Sequence, residues 1–340
     1  MRIAFLNGYQ NNRGAETFVK ELSDRLKERH RVLVISGNRK NVKRWPFLWR
    51  FYLDPHGVYT LIFTLRNLSK IWKQKFDIVV PINGGWQPTL IRLITWFYGG
   101  KTVISGQSGV GWDDKNNLWN FPDCFVALSS FAEKWAKKVN SFVNVISIPN
   151  GVDTNKFRPD GEKLDLKLKK PIIITVGALT KSKRIDFVIK AVAKLKNTSL
   201  LVVGEGDLKI DLQDLGKKFL RNRFQLISLP FSEMPKAYRA ADLFTLVSES
   251  YYSFEIAIVE ALATNLPVVV NSDSIRKEII RDTGILVNPT DISSYSEALD
   301  KALKTNWHEK PREVALDYDW NKISEMYEKL FFDLLKEEKK

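Results

Sequence analysis

The feature that most constrains the fold is a regular alternation of short apolar runs with amphipathic helical segments. Each run is apolar at consecutive positions and is bounded by Gly, Asn or Ser, so a strand formed there would be buried on both faces. Strands of this kind belong to parallel sheets that helices cover on both sides. The runs in the first half of the chain are RIAFLNG, RVLVISG, DIVVPING, TVISGQSG, CFVALS and VNVISIPNG.

The same alternation begins again in the second half. The pattern stops around residues 149–151, a polar and Lys-rich stretch follows, and apolar runs resume at PIIITVG. A chain of 340 residues is long for one hydrophobic core and sufficient for two. The sequence therefore predicts an α/β protein of two Rossmann-like doubly wound domains. The predicted segments are an N-terminal domain at 1–157, a linker at 158–170, a C-terminal domain at 171–310 and a terminal segment at 311–340.

The terminal segment carries a broad apolar stripe. One face of a predicted helix carries Ile323, Met326, Tyr327, Leu330, Phe331 and Leu334. A helix with such a face has to pack on another surface, and we expect it to return to the N-terminal domain.

Composition excludes several classes of protein. No apolar run approaches the ~18 residues of a membrane-spanning helix, and the first residues resemble a strand rather than a secretion signal, so we expect a cytoplasmic protein. Cys124 is the single cysteine, which excludes a disulfide within the chain. Its position in a strand-like run favours a small buried side chain over a catalytic thiol.

Positive charge is concentrated in the first half. Of the formal net charge of +14, about +12 falls on residues 1–160, which favours a polyanionic neighbour, either an anionic membrane or a nucleic acid. Residues 39–52 mix cations with aromatic side chains, as interfacial segments do. Because no nucleic-acid-binding fold pattern accompanies them, we favour peripheral attachment to the inner face of the plasma membrane and expect no nucleic-acid partner. A solvated loop that folds over an acceptor cleft is the alternative.

Two strand-to-helix loops are candidate anion sites. The first, at residues 7–16, contains Gly14, which lets a phosphate or sugar approach the backbone. The second contains Gly177, Lys183 and Arg184. Cations next to a helix N-terminus are unfavourable unless an anion arrives, which favours a diphosphate site there. The alternatives are an ordinary turn at the first loop and solvated lysines at the second.

A third candidate is an isolated carboxylate. Glu260 lies in an otherwise apolar helical stretch, where a carboxylate is costly unless it has a partner. The hydroxyls of a nucleotide ribose are suitable partners, since carboxylate oxygens accept hydrogen bonds. A buried salt bridge is the alternative.

Polar residues that follow two strands of the first half form a candidate acceptor side. Gln107, Asp113 and Asp114 follow one strand, and either aspartate can orient an acceptor hydroxyl, although a turn rich in Gly and Asp explains them equally well. Trp86 follows the preceding strand, where it either stacks on a sugar or packs against the protein.

An ordered set of motifs resembles the retaining glycosyltransferases of family 4, which have the GT-B fold. The set spans nearly the whole chain in the family's order. The resemblance implies two Rossmann-like domains that face each other across a cleft. It also implies transfer of a sugar from a UDP- or GDP-sugar to a hydroxyl acceptor, such as a lipid-linked or envelope glycan precursor. The motifs are RGAETFVKEL, SIPNGVDTNKFRP, VGALTKSKRID, VVGEGD, MPKAYRAADLFTLVS, FEIAIVEALATNLPVVV and GILVNPTD.

The resemblance assigns roles to individual residues. In the family, the lysine that matches Lys183 binds the donor diphosphate, and the glutamate that matches Glu260 binds the ribose. We expect Lys183, Glu260, Glu255 and Asp113 to take part in catalysis. The predicted donor site consists of Gly14, Gly177, Lys183, Arg184, Ser253, Phe254, Glu255, Ile256 and Glu260.

The chain departs from the family at two places. A family arginine is replaced by Ala178, and in our interpretation Arg184 compensates for it. The first of two family glutamates is replaced by Tyr252, and the following Gly-Phe-Gly reads Ser-Phe-Glu at residues 253–255. We expect Glu255 or Glu249 to take over the role of the missing glutamate, with a shifted loop.

No metal ion or other cofactor is expected. His30, His56 and His308 are not clustered with other metal ligands, and the cationic loop takes the place of a divalent ion. One alternative function is a catalytically weak or silent protein that binds a nucleotide sugar or partners. The other is a nucleotide-sugar epimerase or phosphorylase on the same fold.

Overall fold

The computed structural model describes residues 1–9, 14–39, 45–250 and 253–336. The chain divides into two compact units, of which the first comprises residues 1–150 together with residues from 320 onward. The second unit comprises residues 151–319. Each unit is built around its own parallel sheet, and the prediction of two doubly wound domains of the GT-B fold is confirmed.

Buried strands of the first unit form where the sequence has its apolar runs. They are β1 (Arg2–Tyr9), β2 (Arg31–Arg39), β3 (Ile78–Pro81), β4 (Lys101–Ser105), β5 (Cys124–Ala127) and β6 (Val145–Ser147). Within the described residues these six strands are parallel and lie in the order β2-β1-β3-β4-β5-β6. Cys124 is buried, as predicted. The intervening helices are α1 (Gly14–Leu26), α2 (Pro55–Gln74), α3 (Trp86–Tyr98), α4 (Trp112–Trp119) and α5 (Ser130–Val139).

The second unit repeats this construction. Its strands are β7 (Ile172–Val176), β8 (Ser199–Val203), β9 (Phe224–Ile227), β10 (Leu243–Leu246), β11 (Val268–Asn271) and β12 (Gly284–Val287). In the part of the chain that the structure describes, these six strands are parallel and lie in the order β12-β11-β10-β7-β8-β9. The helices are α6 (Ile185–Ala193), α7 (Lys209–Leu220), α8 (Met234–Ala240), α9 (Ile256–Ala263), α10 (Ser274–Ile280), α11 (Ile292–Lys304) and α12 (Lys310–Ala315).

Each sheet reverses its strand order at one pair of neighbouring strands. The reversal lies between β1 and β3 in the first sheet and between β7 and β10 in the second. In doubly wound folds, ligands bind outside the carboxyl ends of the strands at this switch point. The loops that follow β1, β3, β7 and β10 are therefore the places where functional residues are expected.

The last helix, α13 (Trp320–Lys336), completes the core of the first unit. Trp320 and Tyr327 pack on Phe18 of α1, with ring centroids 6.3 and 5.6 Å away. The hydroxyls of Tyr327 and Ser105 share a hydrogen bond of 3.1 Å. The predicted return of the C-terminal helix to the N-terminal domain is therefore confirmed.

The limits of the units differ from the predicted segments. Residues 151–157, predicted to close the N-terminal domain, and residues 311–319, predicted to begin the terminal segment, belong to the second unit. Arg312 explains this difference. Its Nη1 donates to the carbonyl oxygen of Phe157 at 2.6 Å, and its Nη2 donates to that of Thr154 at 2.8 Å. Arg312 Nη1 also donates to the carbonyl oxygen of Ala263 in α9 at 2.6 Å, so both segments are held against the second unit.

Candidate functional sites

Two loops of the second unit meet at the switch point. The backbone N–H of Glu249, after β10, donates to the carbonyl oxygen of Ser182, after β7, at 2.8 Å. Next to this contact, Lys183 Nζ donates to Glu255 Oε2 at 2.5 Å, and the two side chains are only 10% and 7% exposed. The structure therefore brings together two residues that the sequence predicted for one site.

Local structure directs Lys183 inward. It ends a 3-10 turn at Lys181–Lys183, and its backbone N–H donates to the carbonyl oxygen of Thr180 at 3.1 Å. Its aliphatic chain runs beside Gly177, where an added Cβ would lie 3.7 Å from Lys183 Cδ. Arg184 follows with a left-handed backbone (φ 49) and precedes α6. Lys183 is buried, whereas Arg184 is half-buried.

Arg276 is a member of this site that sequence reasoning missed. It lies on α10, is fully buried, and its Nη2 donates to Ser248 Oγ at 2.8 Å and lies 3.4 Å from Glu255 Oε1. Its Nη1 pairs with Asp273 Oδ2 at 3.2 Å. Glu255 therefore contacts Lys183 through one oxygen and Arg276 through the other. The available signal was an arginine in the short segment SIRKEII, which follows closely after the strand run VVVN.

Glu255 has an unusual backbone conformation. Its φ of 62 and ψ of 74 are left-handed, which costs a residue other than glycine about 1 kcal/mol. It precedes α9 but makes no side-chain capping hydrogen bond to that helix. Phe254 is buried, and Ser253 and Ile256 are half-buried. Tyr252, which replaces the first family glutamate, lies outside the described residues.

Glu260 has a polar partner on a neighbouring helix. It is buried in α9, and the hydroxyl of Tyr238 on α8 donates to Glu260 Oε2 at 2.7 Å. Burial, together with the charge of Glu260, raises the pKa of Tyr238 well above its ordinary value. The phenol therefore stays protonated and serves as a hydrogen-bond donor to the carboxylate. The sequence identified Glu260 as a buried carboxylate, but it did not identify Tyr238.

Tyr52 connects two predicted acceptor-side residues of the first unit. Its hydroxyl donates to Asp113 Oδ1 at 2.8 Å, and its carbonyl oxygen accepts from Trp86 Nε1 at 3.2 Å. Gly85 permits this arrangement, because it has a φ of 85 and an added Cβ would lie 2.6 Å from Tyr52 Cδ1. Trp86 is 37% exposed. Trp86 and Asp113 are thus linked, through a tyrosine that the sequence analysis did not identify.

The other predicted acceptor-side residues are held inside the first unit. Asp114 is buried and accepts from Asn117 Nδ2 at 3.1 Å. Burial, aided by the charge of Asp113, raises the pKa of Asp114 to about 8, so this carboxyl is largely protonated at neutral pH. Gln107 exchanges two hydrogen bonds with the amide of Asn150, at 3.1 and 2.9 Å. Both side chains are therefore engaged in hydrogen bonds within the first unit.

The switch point of the first sheet carries a further link. The backbone N–H of Gly8 donates to Asn83 Oδ1 at 2.7 Å, which joins the ends of β1 and β3. Gly14 begins α1 and is exposed, while residues 10–13 of the predicted loop lie outside the described residues. A role of Gly14 in donor binding stays a prediction.

An exposed apolar surface covers part of the first unit. Helix α2 packs against α3 and against the turn at Leu48–Phe51. Large apolar side chains on these elements are exposed, although no helix within the described ranges has the length and apolarity needed to cross a bilayer. Residues 40–44 of the predicted interfacial segment lie outside the described residues. The exposed side chains are Trp45, Phe47, Leu48, Phe51, Leu53, Val58, Ile62, Leu65, Trp72, Leu93, Trp96 and Phe97.

Two protein-family models match the chain. Residues 12–156 match the model described as Glycosyltransferase Family 4, and residues 157–316 match the model described as Glycosyl transferases group 1. Together the matches run from residue 12 to residue 316 without a gap. The chain belongs to these glycosyltransferase families. The family resemblance of the sequence motifs is thereby confirmed.

Curated relatives of this glycosyltransferase-family chain align with part of it. An uncharacterized glycosyltransferase of Methanocaldococcus jannaschii is 31% identical over 168 residues, which are 45% of this chain and 42% of the relative. The UDP-Gal:alpha-D-GlcNAc-diphosphoundecaprenol alpha-1,3-galactosyltransferase of Escherichia coli is 30% identical over 168 residues, 45% of this chain and 43% of the relative. The chain spans about half or less of the length of the curated relatives that it matches.

Solved structures share the two-domain fold. Anabaena HepE in complex with UDP-glucose matches with a TM-score of 0.78, covering 98% of this chain and 100% of that chain at 15% identity. At this identity the likeness establishes the fold alone. Within that glycosyltransferase fold, Lys183 and Glu260 lie after β7 and on α9, and their roles in donor binding stay predictions.

Proposed function

We propose that this protein is a retaining glycosyltransferase that moves a sugar from a nucleoside diphosphate sugar to a hydroxyl acceptor. The observation that carries the proposal is the buried contact of Lys183 with Glu255 at the switch point of the second sheet, together with buried Glu260 in the helix that follows Glu255. A cation at this position suits a diphosphate, and a buried carboxylate on α9 suits a ribose. Family membership supports glycosyl transfer as the reaction class.

The proposed reaction breaks the bond between the anomeric carbon and the diphosphate. The acceptor oxygen forms the new bond on the same face of the sugar, and its proton passes to the leaving diphosphate. Negative charge grows on that diphosphate, so a fixed ammonium such as Lys183 stabilises the transition state more than the ground state. We further propose that protein cations make a divalent metal ion unnecessary. Treatment with EDTA should then leave the rate unchanged, and a loss restored by Mg²⁺ or Mn²⁺ would contradict this.

A donor-binding titration tests the proposal. UDP-sugars are the first donors to try, because the Escherichia coli relative is named for UDP-Gal and the Anabaena neighbour is in complex with UDP-glucose. GDP- and ADP-sugars complete the panel. We expect saturable calorimetric binding of one donor and an affinity at least ~10-fold lower in Glu260→Ala, because hydrogen bonds to a charged group contribute ~1.5–3 kcal/mol each. Glu297→Ala, on the exposed face of α11, is the matched control. Failure of every donor to bind the wild-type protein would refute the proposal.

We propose that the acceptor hydroxyl binds in the first unit beside Trp86, Tyr52 and Asp113. An exposed indole offers a stacking surface for a sugar, and Asp113 offers a hydrogen-bond acceptor that the Tyr52 hydroxyl orients. A lipid-linked acceptor is supported by the name of the Escherichia coli relative, which acts on a diphosphoundecaprenol-linked sugar.

We propose that the exposed apolar surface docks on the anionic inner face of the plasma membrane. Arg66, Lys70 and Lys73 on α2 are exposed between the apolar side chains, and neither α2 nor α3 contains an aspartate or glutamate. Apolar residues interleaved with cations are typical of segments that lie in the interface of anionic bilayers.

Vesicle co-sedimentation tests the membrane proposal. Binding to vesicles that contain phosphatidylglycerol should fall about tenfold in a Trp96→Ser, Phe97→Ser double variant, because two exposed aromatic anchors are lost. Phe142→Ser, at a position that is 88% exposed elsewhere in the first unit, should bind as the wild type does. Equal vesicle binding by both variants would refute the proposal that this surface docks on the membrane.

A catalytically silent nucleotide-sugar binder is the second candidate function. The observation that favours it is the Lys183–Glu255 pair, because a carboxylate already engages the lysine that would bind the diphosphate. Donor binding without turnover against a panel of acceptors would support this candidate.

A further inference from the structure

The contacts of Glu255 resemble those that a phosphate group would make. Glu255 Oε2 accepts from Lys183 Nζ at 2.5 Å, and Glu255 Oε1 lies 3.4 Å from Arg276 Nη2. Two anionic oxygens thus contact an ammonium and a guanidinium, which are the groups that proteins use most to bind phosphates. All three side chains are buried at the switch point of the second sheet.

We propose that Arg276 is the second cation of the donor diphosphate site, and that Glu255 is an internal counter-ion that the diphosphate displaces. This inference rests on the proposed function. Burying Lys183 and Arg276 together requires compensating negative charge, because an unpaired buried cation is strongly unfavourable. Asp273 pairs with Arg276 Nη1 at 3.2 Å, and Glu255 supplies the remaining anion.

Arg276 and Glu255 differ in how firmly the surrounding structure holds them. Arg276 lies on a helix, and contacts with Ser248 and Asp273 fix its guanidinium independently of Glu255. Glu255 lies in a loop, in a left-handed conformation. A change of its backbone to a common conformation would release the strain of the left-handed one. Glu255 can therefore turn away while Arg276 stays oriented toward the site.

Charge explains why the carboxylate has to leave. A donor diphosphate brings at least two negative charges to the place where Glu255 contacts Lys183. Like charges at contact distance repel strongly in a buried site, whereas exchange of one anion for another preserves both cation contacts. Arg276 would then supply the cation that the family arginine, replaced by Ala178, no longer provides.

The first test compares nucleoside diphosphate binding in charge-matched variants. UDP, GDP and ADP are titrated into the wild type, Glu255→Gln and Glu297→Gln. Glutamine keeps the size and backbone demands of Glu255 but removes the competing charge. We expect the diphosphate that binds best to bind Glu255→Gln about tenfold more tightly than the wild type, with no change in Glu297→Gln. Equal or weaker binding to Glu255→Gln would overturn the inference.

The second test concerns Arg276. In Arg276→Gln, affinity for the same diphosphate should fall about tenfold, while affinity for the matching nucleoside, which lacks phosphates, should not change. A merely structural arginine would weaken both ligands equally, and that outcome would overturn the role of Arg276. Arg276→Lys, which keeps the charge, should recover part of the diphosphate affinity if the fully buried site does not tolerate glutamine.

The results separate this inference from the proposed function. Wild-type binding of one diphosphate, tightened about tenfold in Glu255→Gln, would support both the proposed function and the inference. Wild-type binding that Glu255→Gln does not improve would leave the donor site intact and overturn only the inference. If neither protein binds any of the three diphosphates, the proposed function itself fails.

Discussion

Both sheets are followed by polar residues beyond the carboxyl ends of their strands, but the two groups of residues differ in charge. At the second sheet, Lys183, Glu255 and Arg276 form buried ion pairs. At the first sheet, Tyr52 links Asp113 to its surroundings by hydrogen bonds, and buried Asp114 is largely protonated at neutral pH. Charged groups suit a diphosphate, whereas hydrogen-bonding groups suit a sugar hydroxyl. Under the proposed function, the same fold serves two kinds of ligand with differently charged residues near its strand ends.

Replacement of Lys183 should have the largest effect on the rate. A small effect would contradict the view that the second unit acts through buried charge. We expect Lys183→Ala to lower kcat/KM by ~10²–10³-fold, because a cation that stabilises the leaving diphosphate is lost. Lys181→Ala, at the exposed start of the same turn, should stay near the wild type. Similar losses in both variants would show that general positive charge matters rather than the buried lysine.

Asp114 tests whether burial keeps one carboxyl group of the first unit protonated. Its pKa is about 8 in the folded protein and near 3.8 in the unfolded chain. Because the folded state retains the proton, stability is fully present below pH 4 and is lost as pH rises toward 8, by up to ~1.4 kcal/mol per pH unit. Urea unfolding between pH 5 and 8 should show this slope in the wild type and in Asp113→Asn, but not in Asp114→Asn. A slope that persists in Asp114→Asn would assign the effect to another group.

Replacement of Tyr52 tests whether the proposed acceptor site acts separately from the donor site. Tyr52→Phe removes the hydroxyl that donates to Asp113. We expect kcat to fall about tenfold, because the carboxylate loses its orientation, which corresponds to ~1.4 kcal/mol. The donor affinity of the same variant is the control and should not change. Weaker donor binding would mean that Tyr52 does not belong to the acceptor site alone.

The smallest effect concerns stability of the first unit. Tyr327→Phe removes the hydrogen bond to Ser105 and should lower the unfolding free energy by about 1 kcal/mol. Tyr98→Phe is the control, because the Tyr98 hydroxyl is buried and has no hydrogen-bond partner within the described residues. Denaturant unfolding should therefore show a loss for Tyr327→Phe only. Equal stabilities would mean that the Tyr327 hydroxyl contributes nothing beyond packing.

The sequence predicted those features that depend on the pattern of neighbouring residues. Strands buried on both faces are visible as continuous apolar runs, and Glu260 stands out because its neighbours are apolar. Arg276 was missed because its partner Glu255 lies 21 residues away, and Tyr52 because Asp113 lies 61 residues away. Such contacts exist only after the strands have taken their order in the sheet. The unit limits differed for a similar reason, since Arg312 bonds to Phe157 across 155 residues.

The position of α13 has a consequence for the order in which the chain folds during its synthesis. The strands of the first unit leave the ribosome first, but their apolar core also contains Trp320, Ile323 and Phe331. Domains usually fold in the order in which they are made. Here the earlier unit cannot complete its core until the later one has been translated. The second unit is continuous in sequence and can close first, while the first unit keeps an unfinished apolar face until α13 has been made.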